Sequence, residues 1–196
     1  MLSSGRRTST TIRCDVPVDS RRWKYPINGQ VAFALNIPHD ECIHDLDHNF
    51  LKNDIPGGTD HAEYRLLVLP DRGEENTPMH HLLNRRRAQN DCLVFFSTYT
   101  PCMSMCTNAF HGKRILDHLQ IFHNWGREFK AFVFYDIYDT DKDKTKETVL
   151  NSLRAIHNKG DIPVFRCNSY NGQNHCFNCM NNEVAHCFWG WDQRIG

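Results

Sequence analysis

The sequence contains no apolar run that approaches the roughly 18 residues needed to cross a membrane as a helix, so we expect no membrane-spanning segment. It also lacks a net charge, because 23 lysines and arginines balance 23 aspartates and glutamates. A strong nucleic-acid binder usually carries an excess of basic residues, so a polynucleotide partner would be bound weakly and in a salt-sensitive manner. Residues 1–14 have no apolar core, and we do not interpret them as a signal peptide.

The chain is instead rich in metal-ligating side chains, with 12 histidines and nine cysteines. A catalytic zinc takes three protein ligands and leaves a fourth position for water. His61, Cys102 and Cys106 have the composition of such a ligand set. Glu63 lies two residues beyond His61, where its carboxylate can exchange protons with the water without binding the metal. We therefore predict a zinc site with Glu63 as its general acid–base.

Three residues separate the two cysteines, and this spacing suits one metal if the segment is helical. Positions i and i+4 lie on the same face of a helix, and a proline such as Pro101 is well tolerated where a helix starts. A helix N-terminus also favours thiolate over thiol. We therefore predict a helix from Cys102 to about His118.

Apolar and polar patterning predicts an α/β fold. Short apolar runs rich in branched and aromatic residues indicate buried strands over residues 31–37, 91–98, 129–137 and 162–166. Thr77 and Pro78 are typical of a helix start, and a 3.6-residue apolar pattern predicts a second helix over 144–158. Strands that alternate with helices favour a mixed sheet within one domain.

His61-Ala62-Glu63, followed by a strand and then residues 98–102 (TYTPC), resembles the cytidine deaminase superfamily. Within it, the AID/APOBEC-like branch carries Ser-Trp-Ser-Pro-Cys where this chain has Thr-Tyr-Thr-Pro-Cys. After the next strand the branch carries a Tyr-Asp-bearing loop, and here that strand leads into Tyr135-Asp136. The chain is most similar to the novel AID/APOBEC-like deaminases of fish and other animals, some of them secreted. The resemblance covers about residues 30–166 and departs from the usual two-residue gap between the cysteine ligands.

The resemblance implies a three-layer α/β/α cytidine-deaminase-like fold with a mixed central sheet, and a zinc cofactor. We accordingly divide the chain into an N-terminal extension (1–28), a zinc-dependent deaminase domain (29–166) and a cysteine-rich C-terminal extension packed on it (167–196). The implied reaction converts cytosine to uracil in single-stranded polynucleotide, with DNA favoured over RNA, by attack of zinc hydroxide at C4.

The resemblance also implies a substrate pocket near the metal. An aromatic side chain such as Tyr135 or Tyr138 would stack on a base, which contributes about 1–3 kcal/mol per base, and Asp136 would read an exocyclic group. The residues expected to bind substrate are Thr98, Tyr99, Thr100, Tyr135, Asp136 and Tyr138.

Two other functions remain open. The tRNA adenosine deaminases also use His-Ala-Glu and a Pro-Cys-x-Met-Cys stretch, although they place a glutamate where this chain has Thr100. Adenosine in RNA, or a free nucleoside, is therefore an alternative substrate. The second alternative is a catalytically idle deaminase fold used as a binding module in immunity, and the presence of Glu63 argues against it. We expect a monomer or weak oligomer.

Four cysteines lie in the polar, Asn- and Gly-rich tail, namely Cys167, Cys176, Cys179 and Cys187. A segment of this composition buries little apolar surface and needs a covalent or metal staple. Either two disulfides or a structural zinc site, with His186 as a substitute ligand, would serve. Cys14 and Cys42 flank the first strand and are a further candidate pair. We favour disulfides and a secreted protein, partly because the similar deaminases include secreted ones. Cytoplasm or nucleus is the alternative.

Overall fold

The computed structural model describes residues 31–37, 62–70, 75–86, 88–170, 173–182, 184–188 and 190. Three residues with predicted roles, His61, Cys14 and Cys42, lie outside these ranges. The division predicted between residues 28 and 29 lies outside them as well.

A five-stranded mixed sheet forms the centre of the described part of the chain. The strands are β1 (Ala32–Ile37), β2 (Cys92–Tyr99), β3 (Lys130–Asp136), β4 (Val164–Tyr170) and β5 (Gln173–Asn178). Strands β2, β3 and β4 are parallel to one another, and β1 and β5 lie antiparallel at the two edges in the order β1-β2-β3-β4-β5. Strands β2 and β3 are largely apolar along their length because both of their faces are buried. The α/β class and the mixed sheet are confirmed.

Three α-helices accompany this sheet, namely α1 (Ala62–Leu67), α2 (Pro78–Asn84) and α3 (Lys146–Gly160). Helix α2 begins as predicted, because the Thr77 side chain accepts a hydrogen bond from the His80 N–H and Pro78 occupies the first turn. Short 3-10 helices span Leu116–Asn124, Arg127–Phe129, Asp139–Asp141 and His186–Phe188. No described helix is long and apolar enough to cross a membrane.

The three α-helices and the 3-10 helix Leu116–Asn124 pack on one face of the sheet. Their apolar side chains join Phe95, Phe132 and Phe134 of the strands in one core. The opposite face carries a second buried apolar cluster around Leu35 and Val133, to which none of the three described α-helices contributes and against which Phe129 of a 3-10 helix packs. The helical layer that contains α1 therefore lies on the same side of the sheet as the side chains of Phe95 and its neighbours.

The helix predicted from Cys102 to about His118 is wrong. Consecutive turns run from Met103 to Lys113, and the 3-10 helix begins only at Leu116. Side chains compete with the helical backbone here, because the Asn108 amide donates to the carbonyl of Ser104 and its oxygen accepts from the Phe110 N–H. The Ile115 N–H donates to the carbonyl of Cys106, which brings the chain back to Cys106 before the 3-10 helix begins.

The C-terminal tail extends the sheet. Strand β4 continues across the predicted boundary at residue 166 and pairs with β5, a strand that the sequence pattern did not predict. A disulfide joins Cys167 on β4 to Cys176 on β5, and these residues are direct partners in the register. A second disulfide joins Cys179 to Cys187. Covalent links thus hold a strand that has too few apolar residues to be recognised by its pattern.

Candidate active site

Glu63 lies in the first turn of α1, with its side chain turned into the protein. The buried face of α1 includes Leu66 and Leu67, and Glu63 shares this face with 0% of its surface exposed. Its Oε1 accepts a hydrogen bond from Oγ of Ser97 on β2 at 2.5 Å. A buried carboxylate needs such donors, because removing the charge from water without them is costly. Glu63 therefore belongs to the protein interior and not to a solvated helix surface.

Two cysteines that form no disulfide lie where β2 leaves the sheet. Cys102 and Cys106 are both buried, and their Sγ atoms are 3.5 Å apart. A disulfide would place the sulfurs about 2.05 Å apart. Two thiolates bound to one tetrahedral zinc at about 2.3 Å would be roughly 3.8 Å apart. The observed separation therefore fits two ligands of a single metal, and a turn rather than a helix brings the thiols together.

The charge of Glu63 acts on one of these thiols. The pKa of the Cys106 thiol is raised, chiefly by its hydrogen bond with Cys102, then by burial, and then by the charge of Glu63. The predicted carboxylate is thus close enough to the predicted ligand Cys106 for its charge to affect that thiol. Among the described residues no group of three or more metal-ligating side chains forms, and the third predicted ligand, His61, lies outside them.

Asp141 fixes the loop that carries the thiols, and nothing in the sequence pattern singled it out. It belongs to the 3-10 helix Asp139–Asp141, is 2% exposed, and accepts a hydrogen bond at 3.0 Å from the N–H of Met103, which follows Cys102. Burial raises the pKa of this carboxyl, and the Met103 N–H acts in the opposite direction. The segment after β3 therefore positions the segment after β2.

Tyr99, Thr100 and Tyr138, three of the residues predicted to bind substrate, come together beside the thiols. The ring of Tyr138 meets that of Tyr99 edge to face, with centroids 6.1 Å apart. The Thr100 hydroxyl accepts from the Tyr138 N–H at 3.0 Å. Burial raises the pKa of the Tyr138 phenol, and the neighbouring Cys102 raises it further. These residues form an aromatic wall next to the thiol pair.

The structure does not bring Thr98 and Tyr135 to this wall. The Thr98 hydroxyl donates to the carbonyl of Val31 at 3.1 Å and ties β2 to the start of β1. Tyr135 is 37% exposed and alternates along β3 with Phe134, which belongs to the helix-covered core. Successive side chains of a strand point to opposite faces, so Tyr135 lies on the face away from Glu63.

Asp136 is the sixth residue predicted to bind substrate, and its carboxylate is engaged within the protein. It accepts from Arg166 at 2.9 Å, from Lys142 at 3.1 Å and from the N–H of Ile137 at 2.9 Å. Arg166 was not singled out from the sequence. Its guanidinium also donates to the carbonyl of Cys187, so Arg166 connects the tail to Asp136.

The four tail cysteines form disulfides and not a zinc site. Cys92, at the start of β2, is also disulfide-bonded, and its partner lies outside the described residues. Cys92 was not among the predicted disulfide residues, because its position in an apolar strand resembles that of an ordinary core cysteine.

A protein-family model described as "Secreted Novel AID/APOBEC-like Deaminase 1" matches residues 51–190, which is well over half of the chain. Comparison with curated proteins and with solved structures finds no match. The matched range includes every residue of the site described above, His61 and the disulfide-bonded tail.

Proposed function

Because the chain belongs to the Secreted Novel AID/APOBEC-like Deaminase 1 family, we propose that it is a zinc-dependent cytosine deaminase acting on single-stranded polynucleotide, with DNA favoured over RNA. One observation carries the proposal. Glu63 is fully buried and its charge raises the pKa of the Cys106 thiol, and the separation of the Cys102 and Cys106 sulfur atoms suits one metal. These are the non-ligand acid and two of the ligands that a zinc deaminase needs.

Cys102 and Cys106, together with His61 by its place in the sequence motif, would hold the zinc. The ion, when bound, would lower the pKa of a water so that a hydroxide nucleophile exists near neutral pH. Two sulfur donors and one histidine are a ligand set found in catalytic zinc sites, and three protein ligands leave a position for water. Zinc is therefore the metal that this donor set fits.

Glu63 would carry the protons. Its carboxylate would take one proton from the attacking water and give it to N3 of cytosine, and would then take the proton of the new C4 hydroxyl and give it to the departing amine. The overall reaction consumes one water, replaces the C4 amine with oxygen, and releases ammonia. Burial of Glu63 among apolar side chains excludes bulk water, which strengthens its interaction with charge that develops on the base.

The aromatic wall of Tyr99 and Tyr138 would hold the base. Ring faces and edges stack on nucleobases with little dependence on sequence, at about 1–3 kcal/mol per base. A base must leave a duplex before it can enter such a site, which favours a single-stranded substrate. The zero net charge of the chain supports weak, salt-sensitive binding of the strand.

Extracellular location is part of the proposal. Two disulfides in the tail and the bonded Cys92 are typical of proteins that fold in an oxidising compartment. The description of the family as secreted supports the same location. Six of the nine cysteines are then held in disulfides, and the thiols of Cys102 and Cys106 are two of the three that remain.

One assay tests the proposal. Purified protein is incubated with single-stranded DNA and RNA oligonucleotides of the same sequence, and the products are sequenced. We expect cytosine-to-uracil changes, more in DNA than in RNA, and none with Glu63→Gln. This variant keeps the shape of the side chain and removes its proton transfer, so its zinc content and melting temperature serve as controls.

Three outcomes would contradict the proposal. Conversion of adenine and not cytosine would indicate the RNA adenosine deaminase alternative, and conversion of free cytidine alone would indicate a nucleoside enzyme. Absence of any conversion by zinc-loaded wild-type protein, with oligonucleotide binding retained, would indicate a binding module.

A further inference from the structure

The hydrogen bond between Ser97 and Glu63 joins two side chains that are both fully buried. Ser97 lies on the second strand of the sheet, opposite Ala32 of β1 and Phe134 of β3. Its hydroxyl therefore reaches Glu63 from a strand position that is paired with a neighbouring strand on both sides. The bond joins the sheet to the first turn of α1, which carries the acid.

Ser97 stands where the pattern of β2 calls for an apolar residue. Leu93 and Phe95 precede it on the same face and lie in the main core. A large side chain at residue 97 would occupy the space that the Glu63 carboxylate fills, and an alanine would leave Oε1 without this donor. The serine is small enough to admit the acid and polar enough to bind it.

Strand β2 also leads directly to the thiol loop. Only residues 98–101 separate Ser97 from Cys102, and the N–H of Thr98 donates to the carbonyl of Val31 while that of Thr100 donates to the carbonyl of Asp136. Ser97 and Cys102 thus lie on one anchored stretch of chain. A bond from Ser97 to Glu63 fixes the acid relative to the metal ligands and not merely relative to its own helix.

We propose that Ser97 is a positioning residue for the proposed deamination, holding the Glu63 carboxylate in the rotamer from which it transfers protons. This inference rests on the proposed function. A hydrogen bond to an ionised acceptor is stronger than one between neutral groups, so a hydroxyl can select one rotamer of the acid. Misplacement of a catalytic group by about 1 Å can lower a rate by about a hundredfold.

The test compares the steady-state kinetics of Ser97→Ala with those of the wild type. We expect kcat to fall by about tenfold to a hundredfold with KM within about twofold, because only the proton-transfer step loses its geometry. Zinc content should be unchanged. Ser97→Thr keeps the hydroxyl and should retain kcat within about fivefold of wild type.

Thr145→Ala is the matched control for lost stability. It removes the hydroxyl that accepts from the Thr148 N–H at the exposed start of α3, and should leave kcat unchanged. If Ser97→Ala does not fold, Ser97→Cys replaces the strong donor with a weak one at similar volume, and its kcat should be reduced.

A kcat for folded Ser97→Ala or Ser97→Cys within about twofold of wild type would overturn the inference, given active wild type and inactive Glu63→Gln. So would equal losses in Ser97→Ala and Ser97→Thr, since the hydroxyl would then be irrelevant. An inactive wild-type protein would overturn the proposed function, and this inference with it. An active wild-type protein with an unaffected Ser97→Ala variant would overturn this inference alone.

Discussion

The guanidinium of Arg166 donates to the carboxylate of Asp136 at 2.9 Å, and both side chains are largely buried. The same guanidinium donates to the carbonyl of Cys187, while the carbonyl of Asp136 accepts from the Thr100 N–H. Thr100 in turn holds Tyr138. A continuous set of hydrogen bonds therefore runs from the disulfide-bonded tail to the aromatic wall.

Replacing Arg166 with methionine should destabilise the protein strongly. Breaking a buried ion pair leaves an uncompensated charge and typically costs about 3–5 kcal/mol. Because the pair is not fully covered and Lys142 remains beside Asp136, we expect a loss at or below the lower limit of that range, about 2–3 kcal/mol in the free energy of unfolding. Urea denaturation measures it.

Arg154→Met is the control for the Arg166 variant. Arg154 pairs with Glu147 on the surface of α3, with both side chains about half exposed or more, and such pairs contribute about 0–1 kcal/mol. Equal shifts of the denaturation midpoint in the two variants would show that the hydrogen bonds of Arg166 between the tail and Asp136 contribute nothing to stability.

Asp141→Asn should leave the thiol loop intact, whereas Asp141→Ala should not. The asparagine oxygen can still accept from the Met103 N–H, but the alanine leaves that buried donor without its acceptor, at about 1–3 kcal/mol. The measurement is the free energy of unfolding with zinc content beside it. Similar stability of the two variants would mean that Asp141 does not hold the loop.

The pH dependence of the Asp141 variants follows from the raised pKa of this carboxyl. A carboxyl whose pKa is higher in the folded state than the unfolded 3.8 stabilises the fold most below that value, and the contribution declines as pH rises through the folded pKa. Asp141→Asn should therefore gain stability relative to wild type at neutral pH and lose that advantage near pH 3. A constant difference across this range would contradict the assignment.

Zinc binding should release protons and weaken at low pH. The pKa of the Cys106 thiol is raised in the metal-free geometry, and zinc binds the thiolate. We expect one zinc per chain and an affinity that falls by about tenfold or more per pH unit below neutrality. Competition with a chromophoric chelator at pH 6, 7 and 8 measures this dependence, with Cys106→Ser as the control that should lose the metal. A pH-independent affinity would argue against thiolate ligands.

Disulfide mapping should find Cys167 linked to Cys176 and Cys179 linked to Cys187. The peptide that contains Cys92 should be linked to one that contains Cys14 or Cys42, because these are the cysteines that remain. Separations of nine and eight residues give about 2.5 kcal/mol of stabilisation for each tail bond on the loop-entropy estimate. Mild reductant should thus lower the melting temperature. A second zinc with four free tail thiols would be the contrary result.

Sequence patterns predicted the strands within one or two residues wherever the strand is an apolar run, as in β2 and β3. Helix α3 followed its 3.6-residue pattern but begins at Lys146 and ends at Gly160, because Thr145 caps it and Asp161 adopts a left-handed conformation. Local patterns of this kind report local structure, and they are reliable where burial and periodicity agree.

The failures arise from specific side-chain and tertiary contacts, which apolar patterns and motif spacing do not report. The predicted helix after Cys102 followed from spacing alone, whereas side-chain bonds of Asn108 and the tether from Ile115 to Cys106 favour turns. The roles of Ser97 and Arg166 depend on partners 34 and 30 residues away in the chain. No local pattern contains these distances, so motif spacing identified the acid and the thiols without the residues that hold them.

The two tail disulfides have a consequence for the order in which the protein matures. Each joins cysteines fewer than ten residues apart, so each loop closes quickly and needs only a hairpin or a turn to have formed. The bond of Cys92 is different, because its candidate partners precede it by at least 50 residues. The tail disulfides can therefore form while the sheet is still incomplete. The Cys92 disulfide can form only after distant parts of the chain have come together.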